Sequence, residues 1–229
     1  MEITCLATGS SGNAYLVKMG RHTFLLDAGI KFDKLITSVN LNKLDFAFIS
    51  HEHNDHSKSS LKLAIRGTEV IRGINYQTFS KVALKTKLAS NFHVFSFPVN
   101  HGDVKCGGFI ASDGEVKEQM LYITDFNMCK FDLRDFRFTK ILVECNYYEA
   151  MLPSVFDFKA RRQINTHMGL KGLKKFLKGL DLSQTKEIIL CHTSNQYGDR
   201  KLMREEIEHT FGIKTGVCLQ YGGIDYGEV

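Results

Sequence analysis

With 229 residues, 43% of them hydrophobic, the chain can bury a sizeable core as one domain or two. No apolar run approaches the roughly 18 residues needed to cross a bilayer. The opening Met1-Glu2-Ile3-Thr4-Cys5-Leu6 has neither a basic start nor a cleavable apolar stretch, which points to the cytoplasm. A net charge of +5 suits an anionic partner without demanding one.

In chain order, Ile3–Ala7, Ala14–Val17 and Thr23–Asp27 have strand character, separated by the turn-formers Gly9-Ser10-Ser11-Gly12-Asn13 and Met19-Gly20-Arg21. Phe32–Val39 is read as a helix and Asp45–Ser50 as a buried strand. Ser59–Ile65 has helical spacing. Strands return at Val94–Val99, Phe109–Ser112, Met120–Thr124 and Ile141–Glu144. In the last third, Leu170–Leu180 and Lys201–Phe211 are helical and flank the strand Glu187–Cys191, and Val217–Tyr221 closes as a further strand. Many strands with interleaved helices predict two packed sheets with helices outside. Six scattered cysteines without C-x-x-C spacing read as reduced, mostly buried small hydrophobes.

The stretch His51-Glu52-His53-Asn54-Asp55-His56 gathers three imidazoles with the Asp55 carboxylate, and Glu52 between them, at the end of an apolar strand. These nitrogen and oxygen donors suit zinc or a similar divalent ion. On a loop, alternate side chains can turn toward two neighbouring points, and further ligands must come from elsewhere. Three candidates follow apolar runs in the same manner: His101 after 95–100, Asp125 after 121–124, and His192 after 188–191. Asp27 follows Phe24-Leu25-Leu26 likewise. Strand ends that deliver His and Asp to one edge of a sheet build a convergent site. His22, His93 and His209 lack such a pattern and are assigned surface or packing roles.

In order, Asp27, the His51-x-His53-x-Asp55-His56 run, His101, Asp125 and His192 resemble the five motifs of the metallo-β-lactamase superfamily, over nearly the whole chain. Within it, Leu6–Ala14 and Val143–Leu152 are similar to segments of a small bacterial exonuclease branch. The resemblance implies one domain over 1–229 folded as an αββα sandwich, with two divalent ions, zinc or manganese, at one edge. It implies that His51, His53 and His101 hold one ion and that Asp55, His56 and His192 hold the other. Asp125 would bridge both, and Asp27 would orient ligands from behind. Relatives with a di-iron redox centre carry a carboxylate at the place of His53, so an imidazole there favours hydrolysis.

A pair of such ions would activate water near neutral pH and neutralise charge on phosphoryl oxygens. Asp55 and His167 are the catalytic candidates, His167 as proton donor to the leaving oxygen. Its Thr-His-Met-Gly context departs from the branch's Gly-His-Leu-Ser, and a structural histidine capping the next helix is the alternative. His192-Thr193-Ser194 departs similarly from His-Leu-Ser. The loop Ser10, Ser11, Gly12 and Asn13 lacks a following Gly-Lys-Ser/Thr, so it is no nucleotide P-loop. It could still offer N–H groups to a phosphate, or serve as a plain turn.

Arg161, Arg162, Lys171, Lys174, Lys175 and Lys178 form basic clusters, read either as solvated helix faces or as a nucleic-acid track. No room exists between Asp125 and His192 for a large cap domain. The resemblance to the exonuclease branch implies a nucleic-acid substrate, most directly a DNA end, with a cyclic nucleotide as the alternative. A lactone or β-lactam is a weaker reading, and a metal-stabilised binding protein without turnover is the non-enzymatic one. A homodimer stays open.

Overall fold

Every residue of Phe46–Ile49 and Glu187–Cys191 is buried, yet successive side chains enter different cores. Phe46 and Phe48 join one apolar cluster while Ala47 and Ile49 join another. Ile189 and Cys191 join that same first cluster, while Ile188 and Leu190 join a third. Because strand side chains alternate faces, three stacked cores require four layers.

The computed structural model describes residues 1–73, 91–154 and 158–227. One sheet runs in spatial order through β1 (Glu2–Ala7), β2 (Ala14–Met19), β3 (His22–Leu26), β4 (Phe46–Ile49) and β5 (Val70–Arg72). The other contains β6 (Phe92–His101), β7 (Val104–Asp113), β8 (Glu118–Ile123), β9 (Lys140–Glu144), β10 (Glu187–Cys191), β11 (Thr215–Cys218) and β12 (Ile224–Asp225), in reverse spatial order. The helices are α1 (Phe32–Ser38), α2 (Asn54–Ser57), α3 (Ser60–Ile65), α4 (Phe158–Thr166), α5 (Leu170–Lys178) and α6 (Arg200–Phe211).

Between the sheets lies a core rich in aromatic rings, with Phe24 stacked on Phe46 at 4.9 Å and both near Phe92 and Phe109. Phe32 and Leu35 of α1 and Leu63 of α3 cover the outer face of the first sheet. Leu170, Leu173 and Leu177 of α5, with Met203 and Ile207 of α6, cover the second. The αββα sandwich expected from the sequence is the observed architecture.

Several boundaries differ from expectation. At one edge of the second sheet, β6 and β7 lengthen into a hairpin of two ten-residue strands, which places His101 inside a strand rather than after it. The last strand, expected over Val217–Tyr221, is instead Thr215–Cys218. Gly222 and Gly223, at φ 105° and 92°, turn the chain back there into β12, a reversal that glycine accommodates without a Cβ penalty. Within the expected loop of the histidine run, Asn54–Ser57 forms the short helix α2. The strand β5 and helix α4 had no counterpart in the sequence reading. All six cysteines are free thiols, five of them buried. No described helix is long and apolar enough to cross a membrane.

Candidate metal centre

Strand polarity gathers the ligand candidates. In the first sheet, β3 and β4 run parallel. In the second, β8, β9 and β10 run parallel, and β6 matches their direction because β7 opposes both β6 and β8. Their C-terminal ends therefore open on one rim. Asp27, His51, His101, Asp125, Glu144 and His192 stand at or just beyond those ends.

Asp125 lies at the centre. Its Oδ2 is 3.6 Å from His51 Nε2, 3.5 Å from His101 Nε2 and 3.5 Å from His56 Nε2. On one side, His51 Nε2 lies 2.8 Å from His53 Nδ1. On the other, Asp55 Oδ2 is 3.5 Å from His56 Nε2 and 3.7 Å from His192 Nε2. Two nests of donor atoms result, His51, His53, His101 with Asp125, and Asp55, His56 with His192; a third and overlapping group joins Asp125, Glu144, His167 and His192, and the atoms of each group lie within 4.8 Å of one another. Divalent ions fit these nests. His192 Nε2 is buried with no hydrogen-bond partner, a costly arrangement that a coordinated cation would resolve.

Hydrogen bonds behind the ligands fix which nitrogen faces inward. Asp27, fully buried, accepts from His56 Nδ1 at 2.6 Å, Tyr122 Oη at 2.6 Å, Ser50 Oγ at 2.9 Å and Ser50 N at 2.7 Å. His101 Nδ1 donates to the Thr166 carbonyl at 2.8 Å. Each bond commits the ring's Nε2 to the site, the orienting role that ligand imidazoles require. Burial drives the His51 imidazole down to about 2, helped by neighbouring His56 and opposed by Asp125, which favours the neutral form that metal binding would need. Burial also works against charge on His56 and His192. There Asp125 outweighs it, with Asp27 beside His56, and with Asp55 and Glu144 beside His192, which rises to about 10. Without cations, the surrounding carboxylates thus favour positive charge on these two rings.

Such charge substitution makes stability depend on cation supply. Chelation with EDTA should lower the melting temperature, because a ligand at a hundred times its Kd stabilises by about 2.7 kcal/mol. Differential scanning calorimetry with and without manganese or zinc reads the shift, and identical curves would refute the site.

Glu144 is the residue the sequence reading passed over. Fully buried at the end of β9, it accepts from His167 Nδ1 at 2.7 Å, His192 Nδ1 at 3.1 Å, Phe126 N at 3.0 Å and Met168 N at 3.2 Å. With these four contacts it orients His167 and His192 from the end of β9, and its carboxylate also lies within the third donor group. The signal that selects Asp125 and His192, an ionisable residue closing an apolar strand, also selects Glu144. His167 does not cap α5; Gly169 stands at the N-cap position. Its ring instead lies 5.2 Å from that of His101 and 5.3 Å from that of His192, inside the site cavity.

The 10–13 loop divides by role. Gly12 N donates to Gly9 O and Asn13 N to Asp55 O, so these N–H groups are spent on holding the turn against the histidine run. The Asn13 side chain contacts His56 Nε2 at 3.0 Å. Ser10 alone of the four lines the cavity, and Ser11 is exposed on the turn.

A cavity of about 360 Å³ opens over Asp125, His53, His101 and His192, walled on one side by Lys159, Arg162, Gln163 and Thr166 of α4. The basic clusters therefore separate. Arg162 faces the site, while Lys174 pairs with Glu206 and none of the α5 lysines lines this cavity. His22 packs at 4.2 Å against Phe92, and His93 and His209 are exposed.

The family profile of the metallo-beta-lactamase superfamily matches residues 7–93. Over 60 residues the chain is 39% identical to the exodeoxyribonuclease WalJ of Streptococcus pneumoniae, a match covering 24% of this chain and 22% of that protein. The metallo-beta-lactamase fold protein YhfI from Bacillus subtilis superposes with a TM-score of 0.70 at 18% identity, covering 97% of each chain. A diphosphatase of the PhnP family superposes at 0.62 with 15% identity, over 99% of this chain and 98% of that one. Residues 7–93 thus match the metallo-beta-lactamase superfamily profile, and the sandwich as a whole has the fold of these structural neighbours.

Proposed function

We propose that the protein is a two-metal hydrolase of phosphodiesters that acts on DNA ends. The observation that carries this reading is the shared position of Asp125 Oδ2 between two nests of nitrogen and oxygen donors. Paired divalent cations in such nests supply an activated water and neutralise phosphoryl charge. The segment similar to an exodeoxyribonuclease supports a nucleic-acid substrate.

The chain's own residues supply the remaining parts. Arg162 and Lys159 present cationic groups to the cavity and are suited to receive phosphate oxygens. Glu144 fixes the His167 ring through Nδ1, leaving Nε2 to donate a proton to the departing oxygen. His167→Ala should lower turnover about 10²- to 10⁴-fold, the range for a lost general acid, with bound metal unchanged. Metal loss in that variant would reassign His167 as a ligand.

The substrate class is tested with purified protein in manganese or zinc, given single-stranded DNA, duplex DNA, RNA and cyclic mononucleotides in parallel. Release of nucleotides from DNA is the expected result. Cleavage of cyclic nucleotides alone would overturn the nuclease reading, and absence of all turnover with two ions bound would favour a binding protein.

A further inference from the structure

Helix α4 presents two adjacent stripes to two adjoining cavities. Lys159, Arg162, Gln163 and Thr166, spaced i, i+3, i+4 and i+7, face the metal cavity. Phe158, Arg161, Arg162 and Asn165 face a second cavity of about 600 Å³, which also reaches His53 and His101. The two spaces share His53, His101, Arg162 and Thr166 in their linings, so the outer cavity adjoins the metal cavity along α4.

The outer cavity has an unusual lining. Phe158 is 84% exposed, although a phenyl ring on a helix gains by burial. Arg162 makes no ion pair or side-chain hydrogen bond among the described residues, and Asp103 is the one carboxylate in the lining, against two guanidinium groups. An exposed ring beside arginines along a groove is the composition of a single-strand subsite. The ring stacks on an unpaired base while the cations follow the backbone. The volume lies within the range of about 300–1,000 Å³ typical of small-ligand pockets, sufficient for a nucleotide unit.

We propose that Phe158, Arg161 and Arg162 form a subsite for single-stranded nucleic acid, with Phe158 stacking on the base of a nucleotide whose neighbouring phosphate enters the metal cavity. This rests on the phosphodiesterase reading above and adds a preference for unpaired polymer. A paired base in a duplex cannot offer its face to the ring, so the strand must be open there.

The test is fluorescence anisotropy in manganese with a fluorescein-labelled phosphorothioate dT12, which resists cleavage, and with its duplex. Phe158→Ala should weaken binding of the single strand roughly tenfold, and Phe158→Trp should restore it. Arg162→Ala should flatten the dependence of log Kd on log salt by about 0.7, one phosphate contact. The duplex should bind more weakly and ignore residue 158. Equal affinity of all residue-158 variants for dT12, or no binding by the unaltered chain, overturns the subsite. Hydrolysis of bis(p-nitrophenyl) phosphate is measured alongside. If it proceeds while dT12 binding ignores residue 158, the subsite fails and the phosphodiesterase reading stands. If it is absent while binding depends on residue 158, the reverse holds.

Discussion

Asp125→Ala is expected to remove bound metal and hydrolysis together. Its Oδ2 belongs to the first nest and lies 3.5 Å from His56 Nε2 of the second, so its loss breaks the one and strips the other of its neighbouring carboxylate. Loss of an outlying hydrogen-bond partner of a metal ligand costs about 10- to 100-fold; loss of a shared ligand should exceed that. The variant also leaves His56 and His192 without their principal countercharge, so burial would return both rings toward the neutral form. Elemental analysis for metal per chain, paired with a hydrolysis assay, checks the claim. Retention of two ions at full activity sinks the bridging role.

Gly29→Ala should be the most damaging small substitution in the fold. A Cβ there would stand 1.6 Å from the Asp55 carbonyl oxygen and 2.8 Å from Asn13 N. Both contacts are backbone, so no side chain can swing aside. Gly29 N donates to Asn13 O and Asn13 N to Asp55 O, which ties three segments into a stack beneath the metal centre. Forcing them apart should cost about 3 kcal/mol or more, a fall in melting temperature of roughly 6–12 °C for a chain of this size. Since Asp55 belongs to that stack, metal affinity should fall with stability. Thermal unfolding and a metal titration of the same preparation test both halves, and an unchanged melting temperature would contradict the stack.

Much of this architecture was legible because alternation and ligand chemistry are local signals. The runs Phe46-Ala47-Phe48-Ile49 and Met120-Leu121-Tyr122-Ile123 announce strands buried on both faces, and ionisable residues after such runs announce a rim. What stayed hidden depends on tertiary context. The hairpin through His101 outgrew its apolar centre because paired backbones sustain strand geometry through Asn100 and Lys105, whose side chains carry no apolar signal. Helix α4 escaped notice because Ala160 is its only buried residue, and a helix that faces a cavity with polar groups lacks an apolar stripe. Glu144 looked like an ordinary strand end until two histidines converged on it. The Lys171–Lys178 cluster carried charge without position, and its placement away from the site follows only from how α5 packs.

Asp27, Asp125 and His192 all adopt left-handed backbone, at φ 57°, 47° and 52°. Aspartate and histidine tolerate this region better than most side chains, yet each such residue still costs of order 1–3 kcal/mol. Three at one rim make the apo state a stretched spring that cation binding holds in place. In a cell starved of divalent ions, the unoccupied protein would unfold more often and meet proteases sooner. Trace-element supply would thereby set how long each copy survives as well as how fast it works.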